Sequence, residues 1–335
     1  MRWSLFALPV AVALAAFAAA GCSQKSTASP PDSPVSATPG SPAVSDDSLL
    51  HQARLDASGS RRLNVEPLQV ELVSLRQAGW DGCLGAASPG QACNEIFVAG
   101  YIAVFSGGGR EARYHFGMGR FVGPVDPGKQ TVSDGSPVPP QMRTDFNALL
   151  ALYARHELAL RLKVDVSQIA TAAIVPVTFP NGCLGWPRPG AGLCTSVVAP
   201  GAIVLFDAPG GKSYRYHVSD HGIIATDFAP GRAMLDPDPK LVDVQDRMRE
   251  DLARRTGVAA AKVSVRSYRQ ATWPDGCMGV SRPGAVCTQA LVPGFLATLT
   301  DSSGREYQYH GSGQQFIAAD FEQGATITPP LPPKE

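Results

Sequence analysis

Residues 80–93 read WDGCLGAASPGQAC: Trp80, Asp81 and Gly82 lead to Cys83, and a Gly and a Pro-Gly follow before Cys93 closes the stretch. Taken alone, it fits a metal loop, a redox pair or a disulfide-closed turn. The chain repeats it twice. Phe179 to Cys194 reads FPNGCLGWPRPGAGLC, and Trp273 to Cys287 reads WPDGCMGVSRPGAVC. The shared pattern is an aromatic residue, Asp or Asn, Gly, Cys, Leu or Met, Gly, then Pro-Gly and a second Cys. The first copy lacks the Pro that precedes Asn181 and Asp275.

The match continues downstream. Ala99-Gly100, Pro200-Gly201 and Pro293-Gly294 each open an apolar run, and each run reaches a turn and then a Tyr-His pair. The pairs are Tyr114-His115, Tyr216-His217 and Tyr309-His310. Agreement at so many offsets makes the chain three copies of one unit. The period of about 95–100 residues suits one small domain per copy and is too long for a solenoid.

Each copy predicts the same elements. In the third, Leu241, Val244, Met248 and Leu252 recur at helical spacing over Leu241–Arg255, with Asp238-Pro239 as a start signal and Gly257 as a stop. Lys262–Tyr268 alternates as a strand. Gly294–Thr300, Arg305–His310 and Phe316–Ala319 supply three more. The second copy predicts a helix over Asp145–Leu162 and a strand over Thr171–Val177. The first predicts a weaker helix near Asp47–Asp56. The expected fold is α+β: three tandem small domains, each one helix packed on a three- to four-stranded antiparallel sheet. This order resembles PepSY-type and cystatin-like units, a likeness of topology that carries no function. The repeats span 46–128, 137–229 and 237–327, followed by a Pro-rich tail over 328–335. The linkers over 126–140 and 229–240, rich in Pro, Gly and Asp, favour beads with limited mutual contact.

The 335 residues carry no net charge, and charged residues make up 17% with no like-charged block. That excludes a clustered cationic face for nucleic acid. The N-terminus reads as a targeting segment over 1–21: Met1-Arg2, an apolar run from Leu5 to Ala20, then Ala19-Ala20-Gly21-Cys22. Small residues directly before Cys22 resemble the lipobox of bacterial lipoproteins, with Ala19 where that family usually has Leu. The resemblance implies acylation of Cys22 as the mature N-terminus, with chains enough for stable membrane anchoring. Ser23 after the Cys implies outer-membrane sorting, facing the periplasm. An ordinary secretory signal cleaved nearby is the alternative. The stretch 22–45, rich in Ser, Pro, Thr and Ala, predicts a disordered tether.

Seven cysteines are Cys22 and one pair per copy. In an oxidising compartment the pairs read as local disulfides, Cys83–Cys93, Cys183–Cys194 and Cys277–Cys287. Each such loop is worth about 2.5–3 kcal/mol on the loop-entropy model. Zinc needs three or four ligands at closer paired spacing, and a catalytic thiol pair usually encloses two residues, so neither metal nor cofactor is expected. Trp80, Phe179 and Trp273 are expected to pack at the rim of the sheet, with ligand stacking as the alternative. In each Tyr-His pair, one side chain is expected to pack and the other to be exposed.

No nucleophile elbow, phosphate-binding Gly loop or His-Glu zinc helix is present. The motif as a whole resembles an uncharacterised domain of exported bacterial proteins, over Val65 to Asp320. The expected role is a non-enzymatic, membrane-anchored envelope lipoprotein. It would bind another envelope or secreted protein through its three disulfide-stapled domains. A protease inhibitor is the runner-up, and an enzyme or metal binder on the Tyr-His strands is a third class.

Overall fold

The computed structural model describes residues 46–186, 194–229 and 235–332. The targeting segment 1–21, the tether 22–45 with Cys22, the Pro189-Gly190 turn, part of the second linker and residues 333–335 lie outside the described residues.

Each repeat opens with a helix whose ends the sequence marks. In α3 (Pro239–Thr256) the Asp238 carboxylate accepts the Lys240 N–H at 2.9 Å, and Pro239 occupies the first turn. The helix stops at Gly257, whose φ of 76° lies in the left-handed region. In α2 (Phe146–Leu162) Asp145 caps the N–H groups of Asn147 and Ala148. The first helix, α1, runs over Asp46–Ser58.

Each helix is followed by a four-stranded antiparallel meander in chain order. The strands are Glu71–Trp80, Val98–Gly107, Arg110–Gly117 and Arg120–Val122 in repeat 1. In repeat 2 they are Ala170–Phe179, Ala199–Ala208, Lys212–Ser219 and Gly222–Ala225. In repeat 3 they are Ser264–Trp273, Val292–Thr300, Glu306–Ser312 and Gln315–Ala318. The three small domains are therefore α+β units with one disulfide each.

The first strands run further than expected, as far as the aromatic residue that begins the cysteine loop. Their pairing with the second strand carries that residue to Val98, Ala199 and Val292. Each first strand also has a register shift near its start, at Leu72/Ser74, Thr171/Ala173 and Val265/Ser267.

Two expectations about the connections fail. The first linker is part of repeat 1: Thr131–Val132 pairs with Ala86–Ala87 of the cysteine loop, and the Ser133 N–H donates to the Gly85 carbonyl at 2.9 Å. The end of repeat 3 and the first residue of the Pro-rich tail do the same. There Thr326–Ile327 pairs with Val280–Ser281, and Thr328 donates to Gly279 at 2.7 Å. A strap thus lies back over the cysteine loop. Prolines kept these segments from reading as strands, although the edge pairing they make needs few donors.

Nor do the repeats hang as beads. The described residues form one unit, and one buried apolar cluster draws on all three repeats, with Leu50, Leu150 and Leu252 of the helices beside Phe105, Phe206 and Leu299 of the sheets. Polar bonds cross the same seams. Arg54 of α1 and Glu157 of α2 form an ion pair at 2.9 Å, with side-chain exposures of 1% and 6%. Arg54 also donates to the Pro67 carbonyl at 2.8 Å and lies over the Tyr153 ring. Between repeats 2 and 3, the Gln245 side chain takes both main-chain groups of Ile174, at 2.9 and 2.8 Å. The linker composition gave no sign of this, because the contacts are made by helix and strand faces far from the linkers.

Glu157 stands at the same offset before its loop aromatic as Asp251 does. Its partners differ: Arg161 binds it through two N–H groups at 2.9 and 2.7 Å, besides Arg54. Removing Glu157 strands a buried guanidinium, whereas removing Arg54 leaves Glu157 paired. We therefore expect Glu157→Ala to cost about 3–5 kcal/mol in urea unfolding and Arg54→Met less than half of that. Equal losses would mean that the pair does not carry the seam.

Candidate functional site

The loop aromatic and the His of each copy meet on one face of its sheet, beneath the cysteine loop. The disulfides Cys83–Cys93, Cys183–Cys194 and Cys277–Cys287 are formed, each with Cα atoms 5.4 Å apart. Within the loop, Asp81 Oδ1 accepts the N–H groups of Cys83 and Gly85, and Asp275 Oδ1 those of Cys277 and Gly279. Asn181 Oδ1 accepts from Cys183 N–H in repeat 2. An amide oxygen serves this turn as well as a carboxylate does, which is why Asn is tolerated there.

Leu84, Leu184 and Met278 all adopt left-handed φ, between 52° and 55°, and the glycine after each does too. This paired left-handed step turns a carbonyl inward. The carbonyls of Leu84, Leu184 and Met278 accept a bond from Nδ1 of His115, His217 and His310 at 2.8, 2.7 and 2.7 Å. A ring nitrogen facing a carbonyl must carry the hydrogen, so each imidazole holds its proton on Nδ1.

The aromatic residue of each loop covers its imidazole. Trp80 stacks on His115 at 4.4 Å and Trp273 on His310 at 4.2 Å between ring centres. Phe179 lies 5.2 Å from His217, and Trp186 approaches the same ring edge-on, filling the space that the smaller Phe leaves. The indole N–H of Trp80 donates to the Phe116 carbonyl at 3.2 Å and that of Trp273 to Gly311 at 3.0 Å. The Gly of the downstream pair makes room for this. A Cβ at Gly100, Gly201 or Gly294 would stand within 2.1 Å of a carbonyl oxygen of the third strand.

Trp80, Phe179 and Trp273 end their first strands and are packed there, 4%, 0% and 0% exposed, which leaves no open face for ligand stacking. Two expectations are corrected here. Tyr114, Tyr216 and Tyr309 point to the opposite face, yet both members of each Tyr-His pair are buried. The sheet has no solvent face at these positions, because the helix covers one side and the cysteine loop the other. These nine residues therefore form no surface for a partner. Tyr114 donates to Asp56 at 2.6 Å and Tyr309 to Asp251 at 3.0 Å, tying the third strand to its helix. Burial, reinforced by these carboxylates, pushes both hydroxyls far above their ordinary pKa.

One oxygen of Asp81 lies within 4.8 Å of the sulfurs of Cys83 and Cys93, and Asp275 stands likewise beside Cys277 and Cys287. The sulfurs are spent in disulfides, and a disulfide is not a thiolate ligand. What sequence reasoning missed lies just past the second cysteine. Ile96-Phe97, Val197-Val198 and Leu291 precede the second strand in the three repeats and are 47% to 61% exposed. The apolar run was taken to open at Ala99-Gly100, Pro200-Gly201 and Pro293-Gly294, so the residues just before it drew no reading.

A family model described as a domain of unknown function, DUF8738, matches residues 51–122, 152–226 and 245–318. Each match begins within a helix and ends at the fourth strand or one residue past it. No curated protein matches the chain, and no solved structure does.

Desolvation, outweighing the carbonyl bond, lowers the pKa of His115, His217 and His310. Their contribution to stability is therefore complete above the unfolded-state value of about 6.5 and is lost as pH falls towards the folded values. We expect unfolding free energy to drop between pH 7 and pH 5, and His310→Gln to make that slope shallower. An unchanged slope would assign the acid sensitivity to other groups. Trp273→Ala should cost about 3–5 kcal/mol, and Trp273→Phe, the residue type that repeat 2 uses, about 1 kcal/mol for the lost indole bond. Thermal and urea unfolding measure both.

Proposed function

The chain belongs, in each of its three repeats, to the family described as the domain of unknown function DUF8738, and on that footing we propose that it works as a non-enzymatic protein-binding or structural module, held by a lipid on Cys22 at the membrane of the bacterial envelope. Three disulfides are the mark of a chain that folds in an oxidising, exported setting. Among the described residues no helix is long and apolar enough to cross a membrane. Acylation of Cys22 would supply the anchor, the stretch 22–45 the reach, and the outer membrane facing the periplasm the place.

The observation that carries the binding reading is the recurrent exposed apolar step after each second cysteine. Exposed Val, Ile, Leu and Phe at one position of three repeats offer weak contacts that add up when the repeats are rigidly joined. The motif residues themselves are occupied in the fold, and this counts against chemistry on the Tyr-His strands. One observation favours the inhibitor reading: the disulfide-clamped loop of repeat 3 presents Val286 at 97% exposure, a fixed loop of the kind that binds without ordering cost.

The test is photo-crosslinking of the oxidised chain from residue 43 in envelope extract. The comparison is a variant with Ile96, Phe97, Val197, Val198 and Leu291 all changed to Ser. We expect a crosslinked species that the variant loses while its melting is unchanged. Capture of the same species by both would remove the apolar step from the reading. In cells, Cys22→Ser should move the chain from the membrane to the soluble fraction and lower its mass by that of the acyl groups. Retention in the membrane would rule out the lipid anchor.

A further inference from the structure

The outer edge of the first strand is covered by a long segment in repeat 1, whereas in repeat 3, among the described residues, the Leu331 bond to Thr272 is the one main-chain contact on it. In repeat 1, Gly79 and Ser136 exchange two main-chain bonds at 2.7 and 2.9 Å. The chain then runs through Pro137, the buried Val138, Pro139 and a short turn at Pro140–Met142 to Thr144. There the Gln77 side chain donates to the Thr144 carbonyl at 2.8 Å and accepts its N–H at 3.3 Å. One glutamine thus grips both main-chain groups of a proline-rich segment that lies along the strand edge.

The ladder identifies the equivalents in repeat 3. Gln77 pairs with Tyr101 and Gln270 with Phe295, while Gly79 corresponds to Thr272. The first contact is preserved, since the Leu331 N–H donates to the Thr272 carbonyl at 2.8 Å. That bond shows that Thr272 faces its main-chain groups outward. Gln270, two residues back, shares the same side of the strand. But Gly79 is buried and Gln77 half-buried, whereas Gln270 and Thr272 are exposed. They line a groove of about 970 Å3 between the first strands of repeats 2 and 3. Tyr268, stacked on Phe295 at 4.8 Å, forms part of its wall. Pro176 and Val177 of repeat 2 stand in the same groove. Pro176 has no N–H, so its strand offers an apolar surface there and not a second ladder.

We infer that this groove is a docking site for an extended, proline-rich segment of a partner protein, gripped by Gln270 as Thr144 is gripped by Gln77. Proline suits the site on three counts. It holds a segment extended before binding, so little order is lost. It packs on Tyr268 and Pro176. It needs no donor on the side away from the strand. The inference deepens the protein-binding reading by naming a kind of partner, and it rests on that reading.

The test uses a peptide with the sequence of Ser136–Thr144, SPVPPQMRT, titrated into the oxidised chain from residue 43 and followed by calorimetry and by amide NMR. We expect saturable binding with shifts at Tyr268, Gln270 and Thr272. Gln270→Ala, an exposed change that leaves melting unaltered, should weaken it at least fivefold, as should a peptide with its three prolines changed to Ser. No saturable binding, or equal affinity for the Gln270→Ala chain, would overturn the inference. So would a chain that dimerises through the groove in sedimentation and excludes the peptide. The titration involves neither Cys22 nor the exposed apolar steps. Its failure therefore leaves the crosslinking result standing, and failure of the crosslinking leaves the groove.

Discussion

One buried hydrogen bond, made three times, organises each repeat: an imidazole N–H on the third strand to a carbonyl that the cysteine loop turns inward. Forming it needs two consecutive left-handed residues, the first of which is Leu or Met. That conformation is unfavourable for a side-chain-bearing residue by about 1 kcal/mol or more. The surrounding parts hold it in place. The disulfide shortens the loop, the Asp or Asn oxygen fastens its first turn, and in repeats 1 and 3 the strap binds the glycine carbonyl that follows. With the carbonyl fixed, the imidazole can be buried neutral, and the aromatic residue can close over it. The motif that looked like a site is therefore a second core on the far side of the sheet from the helix.

Two cores per sheet explain how domains of this size use their residues. A single helix on a four-stranded meander leaves one face wet. Here that face is covered by the loop, joined in repeats 1 and 3 by the strap, so the sheet reads as nearly continuous apolar sequence over 98–105 and 199–206. The helix side is bound to the third strand by the Tyr-to-Asp bonds of repeats 1 and 3. In repeat 2 the acid at that place, Glu157, is longer and turns to Arg54 of the neighbouring repeat. The same position thus holds a repeat together in two copies and joins two repeats in the third.

Much of this was legible in the sequence, for physical reasons. The helices were marked by Asp145, Asp238-Pro239 and Gly257, which act locally. The disulfides followed from pairing arithmetic and compartment. The strand order followed from turn residues between apolar runs. What was not legible depends on contacts distant in sequence. Nothing local says that Trp273 folds back over His310, that Ser133 binds Gly85, or that Gln245 seals the edge of Ile174. Tyr-His on a strand reads as one face in and one face out, and only the loop's return makes both faces interior. The exposed step at Ile96-Phe97, Val197-Val198 and Leu291 was hidden for a different reason: the apolar run was taken to open just after it, at Ala99-Gly100, Pro200-Gly201 and Pro293-Gly294.

The seam made by Arg54 and Glu157 also bears on how such a chain arises and changes. Three copies of one unit suggest parts that can be duplicated, shuffled or deleted one at a time. Once a buried cation in one copy is neutralised by an anion in the next, that freedom ends. Repeat 1 without its neighbour would keep Arg54 with no anion to match it, and a repeat moved to another position would meet the wrong neighbour. The copies have become specialised by place, so that the array is inherited as a single piece and its members can diverge only in company.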